Sequence, residues 1–160
     1  MNRVLGSCKI VEADLHSDIE QIIEVDELSF NECHTSGSML RTLTNPNNKM
    51  LLCIDSRNDD VLGYMIMLRH KSRDESEPDR EQVSITRIAV HPSTRQRGIG
   101  RLFIENAVRM AKGIDASALQ LVVKADDISI GSQFFIERAG FILSATAGVL
   151  NLYSMDIESE

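Results

Sequence analysis

The densest cluster of residues suited to chemistry is Arg95-Gln96-Arg97-Gly98-Ile99-Gly100-Arg101, directly ahead of a long stretch of helical apolar periodicity. A helix start carries unsatisfied backbone N–H groups and partial positive charge, so cationic side chains gather there at a cost unless something anionic is bound. Three arginines crowd this one. Glycines at 98 and 100 remove side chains where backbone must approach a ligand closely, and the whole segment is suited to cradle a pyrophosphate. The ordinary alternative is an exposed basic turn whose arginines pair with surface carboxylates. Two better-known phosphate motifs fit worse. A P-loop needs Gly-Lys-Ser/Thr after its glycines, and a dinucleotide fold needs Gly-x-Gly-x-x-Gly after its first strand; neither is present.

Other reactive side chains carry weaker signals. Cys33-His34 is adjacent in sequence, but neighbouring side chains need not meet and no carboxylate is identifiable to orient the histidine. Cys8, Cys33 and Cys53 are odd in number and widely spaced, which fits neither a disulfide framework nor a metal site, so reduced thiols and no bound metal are expected. Asp26, Glu27 and Glu32 form an acidic set that could attract a cationic acceptor, although a solvated face is the commoner role for such a set.

The elements that must position these residues follow from patterning. With 160 residues, 42% hydrophobic and 26% charged, the chain is expected to fold as one domain spanning 1–160. No run of eighteen apolar residues and no secretory pattern is visible, so a cytoplasmic protein without membrane contact is expected, as a monomer or homodimer. A net charge of −7 and a pI near 5.1 argue against nucleic acid as partner. A first strand is predicted at about Lys9–Glu12, and a helix from Ser17, where Ser17-Asp18-Ile19-Glu20 has capping-box spacing, to Ser29. Thr35 or Ser36 is placed to cap a second helix that ends at Asn45-Pro46. Met50–Ile54 and Val61–Leu68 read as a hairpin around a polar turn, and the charged stretch His70–Glu81, containing Pro78, as a solvated loop. In the next strand Val83 and Ile85 share one parity while Ile88 and Val90 share the other, which predicts a bulge near Arg87. A strong helix containing Leu102 and Phe103 to Gly113, a strand Leu119–Val123, a helix Ser129–Ala139 ended by Gly140, and strands Phe141–Leu143 and Val149–Met155 complete the chain. The phenylalanines Phe134, Phe135 and Phe141 are predicted core.

At this point the residues resemble a known family. Arg95-x-x-Gly98-x-Gly100 is similar to the Gln/Arg-x-x-Gly-x-Gly/Ala signature of the GNAT acetyltransferases. Ile88-Ala89-Val90-His91-Pro92 resembles the end of the strand that precedes that signature, and Phe135-Ile136-Glu137-Arg138-Ala139-Gly140-Phe141 resembles the family's FYEKLGF segment. The resemblance runs from about Lys9 to Met155 and looks closest to the branch that acetylates ribosomal proteins and other protein N-termini. It implies an α/β fold, a mixed and mostly antiparallel sheet with about four helices, splayed between strands four and five. It also implies acetyl-CoA as cofactor and a primary amine as substrate, attacked on the thioester directly and without a metal. Backbone groups of Ile88, Ala89 and Val90 would hold the pantetheine arm and stabilise the oxyanion. Gln96, Arg97, Gly98, Ile99, Gly100 and Arg101 would hold the pyrophosphate beside Arg95.

The sequence departs from the family at the proton-transfer positions and at one cofactor contact. A tyrosine common in the family is Ile136 here, a glutamate base of related N-terminal acetyltransferases is Val122, and a common cofactor-side asparagine is replaced by Asp127, which takes its place as a candidate cofactor contact, with two extra residues before the next helix. Glu81 and Tyr153 are the candidate catalytic substitutes, with Tyr64 and His91 behind them, although each has an ordinary reading as a packed strand or loop residue. Weak base machinery favours an α-amine: with pKa near 8 it is roughly 10% unprotonated at pH 7, against about 0.04% for a lysine amine. The alternatives are a module that holds acyl-CoA without turnover, and an acetyltransferase for a small amine such as a polyamine, amino sugar or amino acid.

Overall fold

The computed structural model describes residues 7–72, 76, 79–95, 98–127 and 130–157. Strand β1 (Cys8–Glu12) leads into helices α1 (Leu15–Glu27) and α2 (Ser36–Thr42), then strands β2 (Asn48–Asp55), β3 (Val61–Lys71) and β4 (Glu81–Val90). Helix α3 (Ile99–Gly113), β5 (Ala118–Lys124), α4 (Ile130–Arg138), β6 (Ile142–Ala147) and β7 (Leu150–Asp156) follow. The sheet order is β1-β2-β3-β4-β5-β7-β6. Its β4–β5 pair is parallel, while β1–β2, β5–β7 and β6–β7 are antiparallel. This is the expected mixed α/β architecture with four helices. Two compact units are distinguishable, residues 1–66 with 88–103, and residues 67–87 with 104–160.

In the first unit the apolar faces of α1 and α2 bury Ile22, Val25 and Met39 with Leu52, Tyr64 and Ile66 of β2 and β3. Helix α1 starts two residues earlier than its sequence spacing indicates. The Asp14 backbone N–H donates to Asp18 Oδ2 at 3.2 Å, and the Asp14 carbonyl accepts from the N–H groups of Ser17 and Asp18. Asp14 thus stands at the helix entry expected at Ser17, bonded there through its backbone groups. Helix α2 is capped as expected: Thr35 Oγ1 accepts from the Ser38 N–H at 3.1 Å, and Ser38 Oγ accepts from the Thr35 N–H at 2.9 Å. All three cysteines are thiols. Burial, with Cys8 beside it, pushes the Cys53 thiol up to about 12, which removes it as a nucleophile.

The polar hairpin turn is held by Asp55, whose carboxylate accepts from Arg57 Nη2 at 2.8 Å, from Nε at 3.1 Å and from the Arg57 N–H at 2.9 Å. Close packing of β3 on β4 needs Gly63. A Cβ there would sit 2.6 Å from the Ala89 carbonyl oxygen and 3.2 Å from the Phe103 ring.

In the second unit the parallel ladder joins Val83, Ser84 and Ile85 to Leu119, Gln120 and Leu121, and β5 pairs along its whole length with β7. The charged stretch predicted to be a loop is partly strand: His70 and Lys71 extend β3 and Glu81 opens β4, with the Ser72 N–H donating to the Arg80 carbonyl at 2.7 Å. Pro78 lies outside the described residues. Burial along β4 marks Val83, Ile85 and then Ala89, while Ile88 and Val90 are half-buried, so the inferred bulge is not needed to explain the core side of the strand. Strand β6 runs four residues past its expected end, because Ser144–Ala147 carry no apolar alternation and the whole strand is exposed, with Ile142 at 73%. Phe141 is core and Phe135 half-buried, while the Phe134 side chain and Ser129 lie outside the described residues.

The Arg57 side chain first, then its backbone N–H, pulls Asp55 from an ordinary 3.8 to about 2. The folded pKa is below the unfolded one, so this stabilisation is complete above about 3.8 and fades as pH falls through about 2. Arg57→Ala is therefore expected to lower the melting temperature at pH 5, with the gap to wild type closing as pH approaches 2, measured by circular dichroism melts across that range.

Candidate cofactor and catalytic site

The end of β4 is fixed from several directions within the first unit. The His91 N–H donates to the Leu62 carbonyl at 2.7 Å, and Gly63 lets β3 lie against Ala89 and Val90. A short 3-10 turn at Pro92–Thr94 follows, opened by His91, whose Nδ1 accepts from the Ser93 N–H at 3.1 Å. That bond gives His91 a local turn-forming role. Arg95 then folds back: its Nε donates to the Val90 carbonyl at 2.9 Å and its Nη2 to Ser29 Oγ at 3.2 Å. Ser29 in turn donates to the Val25 carbonyl at 2.7 Å, so Arg95 ties the strand end to the end of α1.

Gly98 is the junction between this loop and α3. Its φ is +89°, a conformation that L side chains adopt only under strain, and its carbonyl accepts the first helical bond from the Leu102 N–H at 3.0 Å. Being glycine, it brings no side-chain cap of its own, and the first turn of α3 holds no acidic residue. Ile99 is buried, Gly100 half-buried and Arg101 exposed. A helix start in this state, with an arginine in its first turn, fits a polyanion such as a pyrophosphate. Gln96 and Arg97 lie outside the described residues.

Tyr64 and Asp26 form a closed pair beneath α1. Both are 0% exposed, and the Tyr64 hydroxyl donates to Asp26 Oδ1. Asp26 Oδ2 accepts from the His34 N–H at 2.7 Å. Tyr64 is thus the packed strand residue of its ordinary reading, with its hydroxyl buried too, and Asp26 leaves the acidic set: Glu27 and Glu32 stay exposed while Asp26 serves the core. Cys33 and His34 point to different partners. Cys33 Sγ sits over the Phe30 carbonyl at 3.2 Å, and His34 Nδ1 lies 2.8 Å from Ser38 Oγ.

In the second unit Glu81 is held by two cations, with Oε1 2.9 Å from Lys71 Nζ and Oε2 3.2 Å from Arg69 Nε. Lys71 and then Arg69 hold its carboxyl below the usual carboxylate range, which weakens it as a base. Tyr153, 4% exposed, pairs with Leu121 across β5 and β7. Val122 is opposite Leu152, Ile136 is buried in α4, and Asp127 is half-buried in a 3-10 turn after β5. One polar chain escaped the sequence reading: His70 Nε2 lies 2.7 Å from Ser84 Oγ, which lies 3.2 Å from Gln120 Oε1. The only signal for it was His70 continuing the parity of Tyr64 and Ile66, masked by the charges that follow. Among the described residues no group of His, Cys, Asp and Glu is arranged to hold a metal.

The family described as Acetyltransferase (GNAT) matches residues 19–141, from early in α1 through α4 and including the whole of the Arg95–Arg101 segment. The chain belongs to the GNAT acetyltransferase family. It is an acetyl-CoA-dependent N-acetyltransferase. No curated protein matches it in sequence. Among solved structures it resembles NAA60 of Arabidopsis thaliana, determined with a bisubstrate analogue, at 16% identity and TM-score 0.80, with 96% of this chain and 100% of that one covered. The Escherichia coli ribosomal-protein-S18-alanine N-acetyltransferase is similar at 13% identity and TM-score 0.71, covering 96% of both chains. The Thermoplasma acidophilum PaiA N-acetyltransferase, solved with coenzyme A, has 16% identity and TM-score 0.72, covering 94% of this chain and 99% of that one. At these identities the likeness is one of fold. This GNAT chain keeps the family's glycine signature while Ile136 and Val122 carry no titratable group.

Because the Tyr64 hydroxyl serves a carboxylate that water cannot reach, Tyr64→Phe is expected to lower stability by about 1–3 kcal/mol, read from urea unfolding. Acetyl-CoA binding should be unchanged in that variant.

Proposed function

We propose that this GNAT enzyme acetylates the α-amine of a peptide or protein, with the cofactor pyrophosphate held by the Arg95–Arg101 segment. The observation that carries the cofactor assignment is Gly98: a positive-φ glycine opening a long helix whose first turn has an arginine and no carboxylate. In this reading the backbone N–H groups of Gly98, Ile99, Gly100 and Arg101 bind the pyrophosphate, with Gln96 and Arg97 beside them. Arg95, tied to Val90 and Ser29, braces the loop. Backbone groups of Ile88, Ala89 and Val90 align the pantetheine arm, and an N–H of Ile88 or Val90 orients the acetyl carbonyl. When bound, acetyl-CoA supplies an acetyl group activated as a thioester.

The α-amine is supported by the chemistry around the expected proton-transfer positions. Val122 and Ile136 cannot move a proton, Tyr64 is committed to Asp26, and Glu81 is made less basic by Lys71 and Arg69. An α-amine needs least help, because its neutral fraction at pH 7 is roughly 200-fold that of a lysine amine. The Escherichia coli and Arabidopsis neighbours point the same way by their names. A cytoplasmic location belongs to the same proposal, supported by three cysteines that are all thiols, and no helix among the described residues is long and apolar enough to cross a membrane.

Gly98→Glu puts bulk and negative charge where the pyrophosphate would lie. It is expected to weaken acetyl-CoA binding by about 100-fold or more in titration calorimetry, with the fold retained. Gly98→Ala isolates the cost of the positive φ, about 1–2 kcal/mol, from the charge effect. Unchanged affinity in Gly98→Glu would remove the cradle from this segment. Thiol release with a panel of peptides and small amines tests the acceptor, and turnover confined to polyamines or amino sugars would overturn the peptide assignment.

A further inference from the structure

We propose that β6 is an interface at which two copies of this chain pair, antiparallel, across a two-fold axis. The pairing is independent of what the enzyme acetylates.

Residues 139–155, which hold β6 and all of β7 except Asp156, contain no Asp, Glu, Lys, Arg or His, and no other stretch of the chain runs as long without one. β6 ends the sheet order and is paired with β7 on its inner side. All of its residues are exposed. Of the six large apolar residues that are exposed among the described ones, four belong to this hairpin: Ile142 at 73%, Val149 at 66%, Leu143 at 50% and Leu150 at 38%. Single exposed apolar side chains are ordinary, whereas a cluster of them marks a contact surface.

The edge of a sheet offers a row of N–H and C=O groups to another strand, and proteins blunt it with charge or proline. The opposite edge follows that rule: β1 carries Lys9 and Glu12, and Glu12 Oε1 lies 2.9 Å from Lys49 Nζ. β6 has neither a charge nor a proline. Its one irregularity is the register shift between Leu143 and Ala145, where Ser144 Oγ donates to the Leu152 carbonyl at 3.1 Å, turning that hydroxyl back onto β7.

A second copy fits this edge better than a charged partner does. With a net charge of −7, copies of the chain repel one another, and the repulsion is weakest where neither surface carries charge. An acidic or basic partner finds no ion to pair with on β6. The strand is also complementary to itself when reversed. Its first half holds the large residues Ile142 and Leu143, and its second half the smaller Ala145, Thr146 and Ala147. With the axis between Ser144 and Ala145, antiparallel pairing sets Ile142 of one copy opposite Ala147 of the other, and Leu143 opposite Thr146. The same contacts recur with the copies exchanged, as a two-fold interface requires. Parallel pairing in register would instead set large residues against large and small against small.

The test is sedimentation equilibrium of the full chain from about 1 to 200 µM, since mass action raises a dimer with concentration. Wild type should move from 17.9 kDa toward twice that mass. Ala145→Lys and Ala145→Glu each set like charges beside the axis, and each should stay at 17.9 kDa at concentrations about tenfold above those that dimerise wild type. An equimolar mixture of the two variants should recover the dimer, because opposite charges then face each other, a response that a folding defect would not give. The circular dichroism of both variants should match wild type, Ala145 being exposed. Wild type at 17.9 kDa throughout, variants that dimerise as wild type does, or a mixture that stays monomeric overturns the proposal. Monomeric wild type that floats with neutral phosphatidylcholine vesicles also overturns it, and assigns the edge to a lipid surface.

Discussion

The path from β4 into α3, where the cofactor cradle is proposed, depends on how closely β3 approaches the end of β4. At Gly63 there is no room for a single carbon beyond the backbone, since the Ala89 carbonyl oxygen would lie 2.6 Å from it. That contact and the Leu62–His91 bond set where β4 stops. The 3-10 turn, the folded-back Arg95 and the positive-φ Gly98 are then steps in one short path from strand end to helix start. Backbone groups proposed to bind the cofactor can be placed with this accuracy because the elements that carry them are packed.

Polar side chains are used differently in the two units. In the first, Asp26, Tyr64 and Ser29 hold backbone and helix ends in position, and their hydrogen-bonding capacity is spent on the fold. In the second, Arg69 and Lys71 pair with Glu81 near the start of β4, while His70, Ser84 and Gln120 form a hydrogen-bonded line across three strands.

The glycine–arginine segment, the mixed sheet and the order of helices were legible because each rests on a local rule: helix-start chemistry, alternation, or a cap such as Thr35. Asp14 displaced Ser17 as the opening of α1 because both residues satisfy the same capping rule and only geometry chooses between them. Residues 144–147 of β6 were missed since an exposed edge strand needs no apolar alternation. His70 was hidden for a related reason. Its neighbours are charged, so the stretch read as solvent-facing, and its partner Ser84 is 14 residues away along the chain, with Gln120 a further 36 beyond Ser84. The burial of Tyr64 with Asp26 spans 38 positions and could not be read from either residue alone.

That last pair also shapes how the sequence can change over time. A carboxylate at 0% exposure is tolerable only while its donors remain, and a tyrosine hydroxyl at 0% exposure only while its acceptor does. Losing either partner removes one buried hydrogen bond from the other, a larger cost than the same loss at the surface. Changes at positions 26 and 64 are therefore coupled, and among descendants of this chain the two should tend to change together although 38 residues separate them.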